Sequence, residues 1–489
     1  MLQPRALLRE DPAPLIPAKP LNPSPTAPTE AGPFSRQRAL RKDALSGLEN
    51  VAQTLGTMAP TGTLGVVIPL VIGKSGNGTW LLILAVVAVF LLILYNINVF
   101  ATRSASAGGL GTYAGLGLGP KAGAFTKWIY AIAMLFGVAG CAPSAAYYAC
   151  LLITQYTGIP NTVPLEAIVT TAVVVAAWWI AFRDIKLSSD VMIVIEVTSL
   201  TVITAIITLA MVKGGPWIDR PQLTLQGAGP GAFSAGLVLA FIMMGGFESA
   251  TTLGEESRRA EWTIPRALVR CVVPVGILYV VMTYLLVGLG RKFGIALDQL
   301  EAPFDTLARA YHHPLLGAAS SAGVAMSYFA CTLGSLNAGA RTLYSLSADG
   351  YFFRSAGSAH PANATPHRAI AMIAAISVAA PVGLLIAGVS LVSCIDYLSQ
   401  LAALGFIGSY FMVCLAAPFF LSRLGCLRWP AITVSVSTLV LLAGVMVQSV
   451  YPAPMGPARY LPYVFLTLVT SGVGLSWWVR GSAPVTRSR

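Results

Sequence analysis

Few residues in this chain are of a type that does chemistry, and two of them stand where the surroundings are apolar. Glu248 lies in FSAGLVLAFIMMGGFESATTLGEESRRAEWTIPRAL (233–268), just after Gly245 and Gly246, and Glu196 lies in a second apolar run. Adjacent glycines each weaken a helix by about 1 kcal/mol relative to alanine. The backbone groups they free inside a membrane still need partners, so such a break marks backbone that is buried in protein or lines a cavity. An ionisable residue at that depth costs about 2.5–3.5 kcal/mol on insertion scales and is a functional candidate. A carboxyl there is suited to carry a proton or to hold a hydrogen bond. Covalent catalysis finds no comparable cluster. The histidines (His312, His313, His360, His367) fall in expected loops, no HExxH occurs, and no two of the seven cysteines form a CxxC pair. No enzyme, no metal site and no disulfide framework are expected.

The elements that position these carboxyls are membrane spans. Of 489 residues, 56% are hydrophobic and only 10% charged, with a mean hydropathy of +0.73; soluble chains carry about 25% charged residues. Residues 1–44 hold nine prolines and no hydrophobic signal core, and read as a disordered cytoplasmic tail. Runs of spanning length follow at about 45–72, 79–101, 125–154, 163–183, 189–212, 232–257, 267–290, 315–345, 369–389, 395–421, 430–449 and 461–480. The expected fold class is all-α and integral to the membrane, with twelve transmembrane helices and a short C-terminal tail at 481–489.

The formal charge of +12 follows topology. With the N-terminus in the cytoplasm, 24 of the 31 Lys and Arg fall on cytoplasmic segments and seven on outer ones, a positive-inside pattern. This predicts a multi-pass cell-membrane protein with both termini cytoplasmic, a lipid bilayer around it and no nucleic-acid partner. Gly115, Gly117 and Gly119 follow no strand, so they are not read as a nucleotide loop. Asn77-Gly78-Thr79 is a glycosylation sequon on the outer side, relevant only in a secretory-pathway host.

Two spans are interrupted, the first at Ala59–Thr63 around Pro60 and the sixth at Gly245–Ser249. They open two successive sets of five spans, about 45–212 and 232–421. Five is odd, so the second set starts on the opposite side: a 5+5 inverted repeat with broken helices 1 and 6, followed by helices 11–12 at about 430–480. Matching interruptions in two halves are the best sequence pointer to a carrier's binding site. Kinking by proline and close packing of small residues are the alternative for each break alone.

With these residues in view, the chain resembles the amino acid–polyamine–organocation (APC) superfamily. The likeness is carried by GGFESATTLGEESRRAEWTIPRAL (245–268), and continues in GGLGTYAGLGLGPKAG (108–123) and LNAGARTLYSLSADGYFFRSAGSAHPANATPHRAI (336–370). It implies the leucine-transporter fold over about 45–480, a central small-molecule site at the two breaks, and alternating access.

In that frame the helix ends suit a zwitterion. The N–H groups of the outer half of span one suit a carboxylate, and the carbonyls ending its inner half suit an ammonium. Ala59, Thr61, Gly62 and Thr63 are the expected carboxylate side. Gly245, Gly246 and Phe247 are the amino side, with Phe247 as a lid or as core. The APC pattern at the first break is commonly glycine-rich, and Ala-Pro-Thr-Gly-Thr departs from it. Glu248 is a proton carrier, or a hydrogen bond tying the broken helix to its neighbours. Some relatives carry a lysine in span five; it is absent here, and Glu196 takes a proton-linked role or stabilises packing. Ser327, Thr332 and Ser335 are candidates for a sodium site or for bonds within their own helix. Tyr130 and Tyr397 are candidate gates or packing residues. No organic cofactor is expected; a proton or sodium gradient, or exchange, would drive the cycle. The expected function is amino acid transport, with a polyamine or other organic amine as the alternative substrate. A membrane sensor or channel is the rival of another class. A channel needs a continuous polar file or a charged ring, and neither is visible.

Overall fold

The first helix starts where Ser46 and Glu49 cap each other. Ser46 Oγ accepts from the Leu48 N–H, and the Glu49 carboxylate accepts from Ser46 N at 2.8 Å, a capping box. The structure is a computed structural model that describes residues 40–481 apart from 216, 298, 299 and 452–455. Residues 1–39 of the expected tail and residues 482–489 lie outside the described residues. The end of that segment, Leu40, is not tail-like: it is buried against Ala107, Tyr344 and Ala359.

The helices are α1 (Gly47–Met58), α2 (Pro60–Gly62), α3 (Ile68–Ser75), α4 (Thr79–Ala101), α5 (Gly109–Leu118), α6 (Pro120–Thr157), α7 (Val163–Arg183), α8 (Ile185–Val212), α9 (Arg220–Leu223), α10 (Pro230–Phe241), α11 (Ala260–Phe293), α12 (Pro303–Ala310), α13 (Pro314–Ala348), α14 (His367–Ile386), α15 (Leu391–Arg423), α16 (Trp429–Gln448) and α17 (Leu461–Gly481). Among the described residues there is no strand, only an isolated parallel bridge between Leu45 and Ser257.

Eleven helical stretches among the described residues are long and apolar enough to cross a membrane. The first, Gly47–Ala101, has 55 residues. At 1.5 Å per residue that is about 80 Å of helix against a hydrocarbon core of about 30 Å. It is interrupted at Gly76–Gly78, so it covers the first two of the expected spans, which is why eleven stretches stand where twelve spans are expected.

Helices α6 and α13 form the centre. From Ala330 to Ser347 every residue of α13 is buried, because its small side chains let neighbours approach on all sides. The same device seats α15 on α6: a Cβ at Gly405 would lie 2.7 Å from Ala133 Cβ. The peripheral helices α7, α14, α16 and α17 turn Ile168, Ile376, Val440 and Trp477 outward, as helices facing lipid do. The end at which α1 starts and α13 finishes is called the basic face below.

Candidate functional site

The break in span one is concentrated at one residue. Ala59 sits in the left-handed region (φ 44, ψ 61), its N–H reaching back to Leu55 O and Gly56 O. A non-glycine residue there is strained. Pro60, which has no N–H to satisfy, restarts the helix at once, and a π turn at Thr63–Val67 leads into α3. The expected unwound stretch 59–63 is thus a sharp joint followed by helix.

The groups around that joint are already engaged with one another. Gly62 N donates to Ser327 Oγ of α13 (3.0 Å), and Ser327 Oγ donates to Glu196 Oε1 of α8 (2.6 Å). Thr61 faces the same carboxyl, yet Thr61 Oγ1 and Glu196 Oε2 have no hydrogen-bond partner, and both residues are fully buried. Ser327 and Glu196, candidates from two distant spans, therefore meet at the joint. Thr63 Oγ1 turns back to Met58 O (3.4 Å), and Thr332 bonds Tyr328 O of its own helix.

The break in span six is made of backbone. Gly245 is extended in ψ (139) and Gly246 is left-handed (φ 88), after which Phe247–Leu253 continues as a 3₁₀ helix. Gly246 is required on two counts. Its φ favours glycine, and a Cβ there would lie 2.5 Å from Thr57 Cγ2 at the end of α1. The two breaks touch at this point. Ser249 Oγ donates to Thr57 Oγ1 (3.0 Å), Cys331 Sγ donates to Thr57 O (3.0 Å), and Gln53 Nε2 donates to Gly334 O (2.8 Å). α1, the span-six break and α13 are joined by this buried polar chain.

Phe247 is fully buried, with Phe90 and Tyr410 rings 5.7 and 5.8 Å from its own. Glu248 is also fully buried. Tyr410 Oη of α15 donates to Glu248 Oε2 (2.5 Å) and accepts from Gly246 N (3.3 Å). Tyr130 of α6 also lies beside the carboxyl. Tyr397, the span-ten tyrosine expected as a gate, lies thirteen residues before Tyr410 on the same helix, about 20 Å along its axis.

A family model described as "Amino acid permease" matches residues 45–473, most of the chain and both breaks. The chain belongs to the amino acid permease family. Comparison with curated proteins found no match. A member of this family moves a small molecule through a lipid membrane.

At its basic face the permease carries a fully buried ion pair. Arg341 near the end of α13 grips Glu256 with two nitrogens, Nη2 to Oε1 at 2.9 Å and Nε to Oε2, and both side chains are about 1% exposed. The segment before α1 straps the same loop. Leu45 N donates to Glu256 O (3.0 Å), Arg258 N to Leu45 O (2.8 Å) and Ser257 Oγ to Asn50 Oδ1 (2.8 Å). Lys127 of α6 bonds Ser345 Oγ (2.7 Å) and Asp349 (2.5 Å) alongside. Outside the ion pair is a cavity of about 410 Å³, lined by Gly254, Glu255 and Ser257 next to Glu256 in the chain. At the opposite face Asp219 pairs with Arg291 (2.9 Å) and Gln222 (2.7 Å).

Sequence reasoning missed Tyr410, Cys331 and Arg341, whereas the end of the inner half-helix, at Thr57, was expected to face the site. The described residues contain no cluster of three or more His, Cys, Asp or Glu that could hold a metal.

Proposed function

We propose that this permease is a secondary active transporter that carries amino acids across the cell membrane by alternating access. On this reading it has twelve spans in two inverted sets of five plus helices 11–12, both termini in the cytoplasm, and the basic face inside. The observation that carries the reading is the contact of the two broken spans at Thr57 and Gly246, buried at the centre of the bundle, with a helix end on each side of it.

Binding uses the joint residues Ala59, Thr61, Gly62 and Thr63 against Gly245, Gly246 and Phe247. Gly62 N is held by Ser327 in the closed form, so a substrate carboxylate must displace that hydroxyl, and the exchange couples α13 to occupancy. Release to the inside requires the Glu256–Arg341 pair and the Leu45 strap to part. The Asp219–Arg291 network closes the far side in turn. Glu196 and Glu248, the two carboxyls buried beside the breaks, are the groups through which a proton or a sodium ion couples to these movements. Glu196 also supports a second reading, an organic amine as substrate, because a protein carboxylate stands at the joint.

Uptake into proteoliposomes tests this. Labelled amino acids, putrescine and agmatine are presented with an inward proton gradient, an inward sodium gradient, or internal substrate. Accumulation of one amino acid class is expected, and proton symport predicts that Glu248→Gln abolishes only proton-driven uptake. Uptake of putrescine with no amino acid transported would overturn the amino acid assignment in favour of the amine.

A further inference from the structure

We propose that Cys141 and Cys331 are a site of reversible oxidation, a thiol pair whose conversion to a disulfide slows the transport cycle. Cys141 lies in the middle of α6 and Cys331 in the middle of α13, and their sulfurs are 3.1 Å apart. All seven cysteines among the described residues are free. A disulfide sulfur pair is about 2.05 Å apart, so closure needs a movement of about 1 Å.

The pair is wired into the paired breaks. The Cys141 thiol points at Cys331 Sγ, and Cys331 Sγ donates to Thr57 O at the last turn of α1. Three residues along the same helix, Gly334 O accepts from Gln53 of α1 (2.8 Å). Oxidation removes the S–H that serves Thr57 O, draws the sulfur toward α6, and ties α6 to α13 where α13 seats the broken span.

Cys141 is half-buried and Cys331 buried, which sets the order of events. A small hydroperoxide ROOH oxidises Cys141 to the sulfenic acid and leaves as the alcohol ROH. The Cys331 sulfur then attacks the sulfenic sulfur, the S–S bond forms, the S–O bond breaks, and water departs with the thiol proton. Overall, two thiols and ROOH give one disulfide, ROH and water. A dithiol reductant reverses it.

The functional half of this inference rests on the transport reading; the chemical half does not, so the two are read separately. Full-length permease in proteoliposomes is treated with tert-butyl hydroperoxide, denatured and alkylated, and its peptides are weighed. The expected result is a crosslinked Cys141–Cys331 peptide pair and two fewer alkylated thiols per chain. Uptake is expected to fall about tenfold, the factor carried by one buried hydrogen bond left unmade, and to return with dithiothreitol. Cys141→Ser, which leaves the Cys331 bond to Thr57 O in place, should transport before treatment and resist the oxidant. Recovery of both cysteines separately alkylated from treated wild-type protein overturns the proposal. So does crosslinking that leaves uptake unchanged, or oxidant inhibition that persists in Cys141→Ser. Untreated protein that transports nothing overturns the transport reading, and the peptide masses still decide the chemistry.

Discussion

Replacing Arg341 by methionine should be among the most damaging single changes at the basic face, and the pair geometry says by how much. Arg341 and Glu256 are each about 1% exposed, and the guanidinium holds both carboxylate oxygens while Nη1 bonds Asn337 O (3.2 Å). Water cannot reach a carboxylate left there alone. Removing one partner of a buried pair costs about 3–5 kcal/mol, whereas replacing both by apolar residues of similar volume is often neutral. Arg341→Met should therefore lose about 3–5 kcal/mol, Glu256→Met a comparable amount, and the double variant should return to within about 1–2 kcal/mol of wild type. That implies a coupling of about 4 kcal/mol or more, well above the few tenths expected of independent sites. The assay is a double-mutant cycle of unfolding in detergent micelles, read by tryptophan fluorescence. Additive single and double effects, with coupling below about 0.5 kcal/mol, would refute the buried-pair argument. If the pair also closes the inner side, the stable double variant should still transport poorly, because its gate no longer has a charged latch to re-form.

Two further expectations concern the span-six break. Gly246→Ala must take a left-handed φ, at about 1–2 kcal/mol, and press a Cβ on Thr57, an overpacking of about 1–3 kcal/mol, so uptake should fall sharply; at Gly245, where φ is −57 and the nearest contact is Phe406 at 3.0 Å, the same change should be milder, and equal effects at both positions would refute the contact. Tyr410→Phe strips the Glu248 hydrogen bond and the acceptor for Gly246 N and should cost about 1.5–3 kcal/mol in unfolding measurements, while Tyr397→Phe, at a half-buried ring along the same helix, should stay within about 0.5 kcal/mol.

The Tyr397 and Tyr410 contrast shows what sequence makes legible. Both are tyrosines in one apolar run, and composition and hydropathy treat them alike. Their roles depend on the register of α15, fixed against helix α6 by contacts such as Gly405 on Ala133 that no local pattern announces. Likewise Ser327, Thr332 and Cys331 share a helix and a polar character, but only their facing decides that Ser327 reaches Gly62 and Glu196, Cys331 reaches Thr57, and Thr332 stays on its own helix. The breaks were legible because their cause is local: Pro60 lacks a donor, and Gly246 alone tolerates its φ and its neighbour. Glu248 was legible because a carboxyl in an apolar run stands out. Arg341 was hidden by the opposite effect. Near a helix end it reads as one more topological charge, whereas its burial depends on a glutamate 85 residues away in sequence.

The two breaks are stabilised differently, and this bears on how they move. The span-one joint is held by side chains of α13, with Ser327 on Gly62 and Cys331 on Thr57. The span-six break is held by α15, with Tyr410 on both Gly246 and Glu248. Helix α6 lies against both holders, meeting α13 at Cys331 and α15 at Gly405. A displacement of α13 relative to α15 therefore changes the Thr57–Gly246 contact directly, without unfolding either break. Both sides must exchange specific hydrogen bonds to move, the glycine side those of Tyr410 and Ser249 and the alanine side those of Ser327 and Cys331. A ligand group that replaces Ser327 on Gly62 N would pay part of that exchange and bias the joint, which ties occupancy to movement through a single hydroxyl.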